Sequence, residues 1–199
     1  MEQPEVESSA QEGRGTDFPQ RLAKNQEATE VFVRQAYPDE KFIAGISQLQ
    51  VANKWANDLE IPKHVKLAVS RIPANKEQRD ILEKELRQAR MLAELGNSVY
   101  LTPEYGGYKK RVADAIVNGA AYEFRNVTGR SRQIEQLFSD AKTKGKATNV
   151  FINIDSDISK QEARRRIGMV IERHPDYTGK ILIAFKGKNI CLWDTDSFK

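Results

Sequence analysis

Asp114, Glu123 and Arg125 are the residues of this chain whose types and spacing can do chemistry together. They lie in the stretch Val112–Asn126, where two β-rich runs flank Asn118-Gly119. An Asn-Gly pair between such runs is the strongest short-range signal for a type I′ hairpin. With those two residues as the loop, Val117 faces Ala120, Ala115 faces Tyr122, Asp114 faces Glu123 and Val112 faces Arg125. Side chains alternate along a strand, so Glu123 and Arg125 share a face. Directly opposed residues have Cβ atoms roughly 4.5–5.5 Å apart, and opposed like charges destabilise a sheet. The two carboxylates therefore need an offset. A bound cation is one; Arg125 alone is the other.

A third carboxylate belongs to the helix expected over Asn75–Leu95, which ends at Gly96 as its C′ glycine. Leu82, Leu86, Ala89 and Ala93 make its buried stripe, widened by Ile81 and Leu92, and Glu85 falls inside that arc. Burying an isolated carboxylate is costly, so Glu85 should be paired or liganded, or reach solvent at the rim. Oxygen ligands of this kind suit Mg²⁺ or Mn²⁺. Such an ion activates water and stabilises charge on a phosphate oxygen, and a neighbouring cation does the latter too. Lys109, Lys110, Arg111, Arg130, Arg132, Lys142 and Lys144 are available for a phosphate backbone. Tyr105, Tyr108 and Tyr122 are available for stacking, with Tyr122 equally placed to be core. Together these residues point to phosphodiester cleavage with Asp114 and Glu123 binding metal, Glu85 completing the site and Arg125 stabilising the phosphate. The spacing D-x8-E-x-R is common by chance; its weight comes from the hairpin register and the helical Glu.

Other chemistries find no motif. There is no Gly-rich loop with Lys-Ser/Thr and no G-x-S-x-G elbow. Cys191 is the only cysteine, which excludes an intrachain disulfide, and His64 and His174 do not form a zinc spacing.

The elements that must position these residues follow from periodicity. Residues 1–20 hold five acidic residues against one base, without apolar periodicity, and are expected to be a disordered acidic tail. Residues 21–73 are expected to be a helical extension or delivery segment, with helices near Asn25–Gln35 and Ile46–Leu59. Phe32, Phe42, Val51 and Trp55 would form its small core. Residues 74–199 form the candidate catalytic domain. After the long helix come a strand at Ser98–Thr102, the hairpin strands Arg111–Val117 and Ala120–Val127, and an amphipathic helix marked by Ile134, Leu137, Phe138 and Ala141. A doubly buried strand at Asn149–Asp155, a helix at Ser159–Arg173 and a closing hairpin, Lys180–Phe185 with Asn189–Trp193, complete the chain. The order α-β-β-β-α-β-α-β-β predicts an α/β (α+β) fold with a mixed central sheet flanked by helices.

The 199 residues are 39% hydrophobic and 30% charged, with a formal net charge of +4. That is compatible with nucleic-acid binding without proving it. The basic character is local: residues 105–149 hold nine Lys/Arg against four Asp/Glu. No apolar run reaches membrane-spanning length, and the acidic N-terminus lacks a signal-peptide core.

The run LTPEYGGYKKRVADAIVNGAAYEFRNVTG, followed by a helix and NVFINID, resembles the C-terminal nuclease domain of bacterial contact-dependent inhibition toxins. Related domains end phage minor head proteins and other polymorphic toxins. The resemblance spans about residues 80–195. In that family a D-A-I-I-N-G-like strand precedes a W-E-F-K-N-like strand. It implies a toxin that cleaves RNA, often tRNA, in the bacterial cytoplasm after delivery as part of a larger protein, and a cognate immunity protein in the producing cell. The element order also resembles the PD-(D/E)XK nuclease core, whose Asp, Glu and helical Glu match Asp114, Glu123 and Glu85. Arg125 stands where that motif has lysine. Arginine keeps the charge but does not readily give up a proton, so lysine-assisted chemistry is not implied. Two alternatives stay open. One is a metal-independent ribonuclease of the barnase/EndoU/colicin/RelE fold, with Lys109, Lys110, Arg125, Tyr108 and Thr128 in acid–base and oxyanion roles. The other is a catalytically inactive nucleic-acid-binding or assembly module, with Asp114, Arg125 and Glu123 as a structural ion-pair cluster.

Overall fold

The computed structural model describes residues 17–45, 54–103, 113–143, 149–186, 188–193 and 195–198. In chain order the elements are α1 (Phe18–Ala36), β1 (Phe42–Ile43), β2 (Val65–Ala68), α2 (Lys76–Glu94), β3 (Val99–Leu101), β4 (Ala115–Val117), β5 (Ala120–Val127), α3 (Arg132–Thr143), β6 (Asn149–Ile154), α4 (Lys160–Arg173), β7 (Ile181–Phe185) and β8 (Lys188–Trp193). From α2 onward this is the order that the periodicity predicts. Among the described residues the strands form one eight-stranded sheet in sequence order. It is mixed: β2–β3, β5–β6 and β6–β7 pair parallel, and the other neighbours antiparallel.

Residues 21–73 differ from their sequence expectation. The first helix forms and is longer than predicted, with Pro19 inside its first turn, where the missing N–H costs nothing. The predicted second helix, Ile46–Leu59, lies partly outside the described residues, and residues 54–58 form a turn. Two strands appear that the sequence did not announce. β2 pairs parallel with β3, and β1 closes the edge. Both are too short to show a period: two and four residues.

α2 is held at both ends by local chemistry. Asn75 Oδ1 accepts the Gln78 N–H at 2.9 Å, and Gln78 Oε1 accepts the Ala74 N–H at 2.8 Å, a reciprocal arrangement close to a capping box. At the other end Gly96 takes φ +84°, the Gly96 N–H reaches Ala93 O and the Asn97 N–H reaches Leu92 O. That is a Schellman motif.

The two faces of the sheet carry different cores. α2 lays Leu82, Leu86, Ala89, Leu92 and Ala93 against Val99, Leu101, Ala115, Val117, Tyr122 and Phe124. On the opposite face α3 and α4 pack Ile134, Phe138, Ala163, Ile167 and Val170 against Val127, Val150, Ile152 and Ile154. Farther along that same face, α1 covers Tyr100 and Ile116 with Val33 and Tyr37. Period-two alternation assigns the faces: Tyr122 and Phe124 go to the α2 side, and Glu123, Arg125 and Val127 to the α3/α4 side. The parallel register, Glu123↔Val150 and Arg125↔Ile152, agrees. No helix among the described residues is long and apolar enough to cross a membrane.

The predicted turn forms. Asn118 and Gly119 take φ +50° and +80°, as a type I′ turn requires. Val117 pairs with Ala120 and Ala115 with Tyr122, the expected register. The turn is tied down: Asn118 Oδ1 accepts the Ser98 N–H, and the Gly119 N–H donates to Thr29 Oγ1 of α1. A Cβ at Gly119 would lie 3.1 Å from Ala28 O. Gly119→Ala is therefore expected to cost about 1–2 kcal/mol from the left-handed backbone alone, with crowding against α1 added. Urea unfolding measures this, and an unchanged midpoint would contradict it.

Candidate active site

β4 enters the ladder at Ala115, and the residue just before it does the work of a ladder partner. Asp114 Oδ2 accepts the Phe124 N–H at 2.9 Å, which extends the pairing of β5 by a side chain where the β4 backbone has departed. The same oxygen accepts Arg125 Nη1 at 2.9 Å. Arg125 Nη2 donates to Glu123 Oε2 at 2.6 Å, and Nη1 also donates to the Phe124 carbonyl at 2.6 Å. Two carboxylates and one carbonyl thus converge on a single guanidinium. Glu123 is fully buried, while the Asp114 and Arg125 side chains are 14% and 17% exposed, so solvent reaches part of the group. The sequence-predicted meeting of Asp114, Glu123 and Arg125 is present. The guanidinium offsets the two opposed carboxylates.

Glu85 meets Arg71. α2 covers the Tyr122/Phe124 face, and Glu123 and Arg125 leave from the other. Glu85 Oε2 instead accepts Arg71 Nη2 at 2.5 Å, with the side chains 13% and 3% exposed respectively. The expectation that Glu85 completes one three-carboxylate metal site with Asp114 and Glu123 is not met. Among the described residues no group of three or more His, Cys, Asp or Glu side chains is arranged to hold a metal. The reason is parity: a helix on one face of a sheet does not reach side chains leaving the other.

Arg71 is a site neighbour that spacing did not reveal. It closes a short 3-10 turn, Val69–Arg71, after β2. Its Nη1 donates to Thr102 O at 2.8 Å and to Asp114 O at 3.0 Å. The only sequence signal was an arginine among apolar neighbours, Leu67-Ala-Val-Ser-Arg-Ile72. Gln88 was also missed. It is buried in α2, three residues after Glu85, and its Nε2 donates to Arg125 O at 2.8 Å. Its place in the apolar arc marked it by the argument applied to Glu85.

Of the predicted phosphate-binding residues, Arg130 is exposed in the turn from β5 into α3, and Arg132 is exposed as the first residue of α3. They continue the strand that carries Glu123 and Arg125. Lys109, Lys110, Arg111, Lys144 and the Lys142 side chain lie outside the described residues, as do Tyr105 and Tyr108. Tyr122 is core: it packs under α2, and burial pushes its hydroxyl above the ordinary tyrosine range. A cavity of about 1050 Å³ lined by Phe18, Ile61, Pro62, His64, Arg90 and Glu94 includes none of the predicted site residues.

For a divalent ion, the oxygens of Asp114, Glu123 and the Phe124 carbonyl are of the right chemistry. Mg²⁺ commonly takes one or two carboxylates and completes its shell with water and phosphate. The donor set fits on condition that Arg125 gives up its hold on both carboxylates.

No protein-family model matches the chain, and no curated protein matches it. Among solved structures the chain is similar to the CdiA-CT/CdiI toxin and immunity complex from Burkholderia pseudomallei, at 26% identity and a TM-score of 0.47, over 60% of this chain and 89% of that one.

Proposed function

We propose that this protein is a toxin-type endonuclease that cleaves phosphodiester bonds of RNA, tRNA foremost, with a divalent ion assisting at Asp114 and Glu123. The observation that carries the proposal is the convergence of Asp114, Glu123 and the Phe124 carbonyl on one cationic group at a partly open site. Oxygens that already hold one positive charge are of the kind that would hold a divalent ion, whose charge then meets phosphate. The resemblance of the Leu101–Gly129 run to toxin nuclease domains supplies the substrate class.

In this reading Asp114 and Glu123 hold the ion, which when bound supplies an activated water and charge for the phosphate oxygen. Arg125 moves from the carboxylates toward the phosphate, where its planar fork suits two oxygens. Glu123, fully buried, keeps its position through this exchange. Arg130 and Arg132 carry the flanking backbone of the RNA. A producing cell then needs an immunity protein, and an acidic one suits the basic surface.

A second reading has a specific observation behind it. Arg125 already fills the space between the carboxylates, as a metal-independent ribonuclease would have it. Products ending in 2′,3′-cyclic phosphate, made by the RNA's own 2′-OH, would favour that version.

Induced expression in a bacterial host tests the proposal. Growth is expected to stop with tRNA fragmented, and Glu123→Ala is expected to restore growth. Unimpaired growth with the wild-type chain would leave Asp114, Glu123 and Arg125 as an assembly module's ion-pair cluster. Fragmented chromosomal DNA with intact tRNA would move the substrate to DNA.

A further inference from the structure

We infer that Arg71 is the positioning residue of this site and that Glu85 is its counterion, not a metal ligand. Arg71 is 6% exposed, and an arginine so buried must be held by partners. Those partners are particular. Nη1 donates to the carbonyls of Thr102, which follows β3, and of Asp114, which precedes β4. The Asp114 carbonyl also accepts the Thr102 N–H at 3.1 Å, and the Thr102 hydroxyl donates to Ala113 O. The backbone of Asp114 is therefore clamped at the point where it leaves the ladder. Its carboxylate, one residue's length away, holds the Phe124 N–H and Arg125.

Glu85 completes the clamp. Its bond to Nη2 balances a buried charge and fixes the guanidinium plane against both carbonyls. Arg71 Nε has no hydrogen-bond partner among the described residues, so the group is not arranged for greatest stability. Buried ion pairs are weak evidence for stability in any case. What this pair does is fix the geometry of Asp114 from outside the hairpin. The arginine comes from residues 21–73, so that segment contributes to the site. The inference deepens the cleavage reading and rests on it for its activity consequence, while the placement of Asp114 stands by itself.

The test uses the full chain with Arg71→Met, Arg71→Lys and Glu85→Gln. Amide hydrogen exchange reads the placement directly. Arg71→Met is expected to speed exchange of the Phe124 N–H by about tenfold or more relative to the Val150 N–H, which bonds Lys180 O on the far side of β6. If Arg71→Met does not fold, Arg71→Lys shows the same change at smaller size, since a point charge cannot span two carbonyls and a carboxylate. In tRNA cleavage, Arg71→Met is expected to lower kcat by about 10²-fold, the order seen for sub-ångström to ångström misplacement, with KM within about twofold. Glu85→Gln is expected to speed the same Phe124 exchange, at smaller size than Arg71→Met. Unaltered relative exchange at Phe124 in the Arg71 variants overturns the inference, and so does a raised Mg²⁺ requirement in Glu85→Gln with exchange at Phe124 unaltered. A wild-type chain without cleavage would sink the nuclease reading and leave the exchange comparison to decide Arg71.

Discussion

Arg125→Met is expected to destabilise the fold by roughly 3–5 kcal/mol, the size expected when one partner of a buried ion pair is removed. Glu123 is fully buried and Arg125 Nη2 lies 2.6 Å from it. Without the guanidinium, Glu123 and Asp114 face each other with their charges unbalanced at the end of β4. Most of the loss arises from the stranded carboxylate, not from the lost contact itself. The double variant Arg125→Met/Glu123→Gln is therefore expected to recover much of the stability. Urea unfolding of the wild type, both single variants and the double variant gives the coupling. A single-variant loss below about 1 kcal/mol would mean that the pair is solvated, as surface pairs are. Added Mg²⁺ should stabilise Arg125→Met more than wild type, because removing arginine opens the oxygens to another cation.

Asp114→Asn is expected to fold like the wild type and to lose tRNA cleavage by about 10²–10³-fold, the order reported for removing one charge-stabilising group from an active site. The substitution is chosen to separate two roles of the same side chain. An amide oxygen still accepts the Phe124 N–H and Arg125 Nη1, so the end of the ladder is preserved. The negative charge is gone, and an NH2 donor replaces the second oxygen. Cleavage at the wild-type rate with Asn at position 114 would make Asp114 a strand-end cap and nothing more. Circular dichroism and the thermal midpoint should be close to wild type in either event.

Much of this arrangement could be read from the residues. The Asn118-Gly119 pair dictated a turn whose two positive φ angles only such residues adopt readily, and from the turn followed the register Val117↔Ala120 and Ala115↔Tyr122, which leaves Asp114 one residue before the ladder. The stripe on α2 and the Gly96 ending were legible for the same reason: each is local. Glu85 was legible as a buried carboxylate but not as to its partner. Helix periodicity says that a side chain faces a sheet, and not which face of the sheet the helix takes. Arg71 lies 43 residues from Asp114 in sequence, and two elements intervene. A contact of that kind has no sequence period to announce it. β1 and β2 were hidden for a related reason, since two- and four-residue strands are too short to alternate visibly.

The proposed chemistry meets its most direct test in purified protein incubated with total tRNA, in Mg²⁺ and in EDTA. Cleavage in Mg²⁺ that disappears in EDTA and returns on adding excess Mg²⁺ is the predicted result. Full cleavage in EDTA, or intact tRNA in Mg²⁺, would contradict a divalent ion working at Asp114 and Glu123.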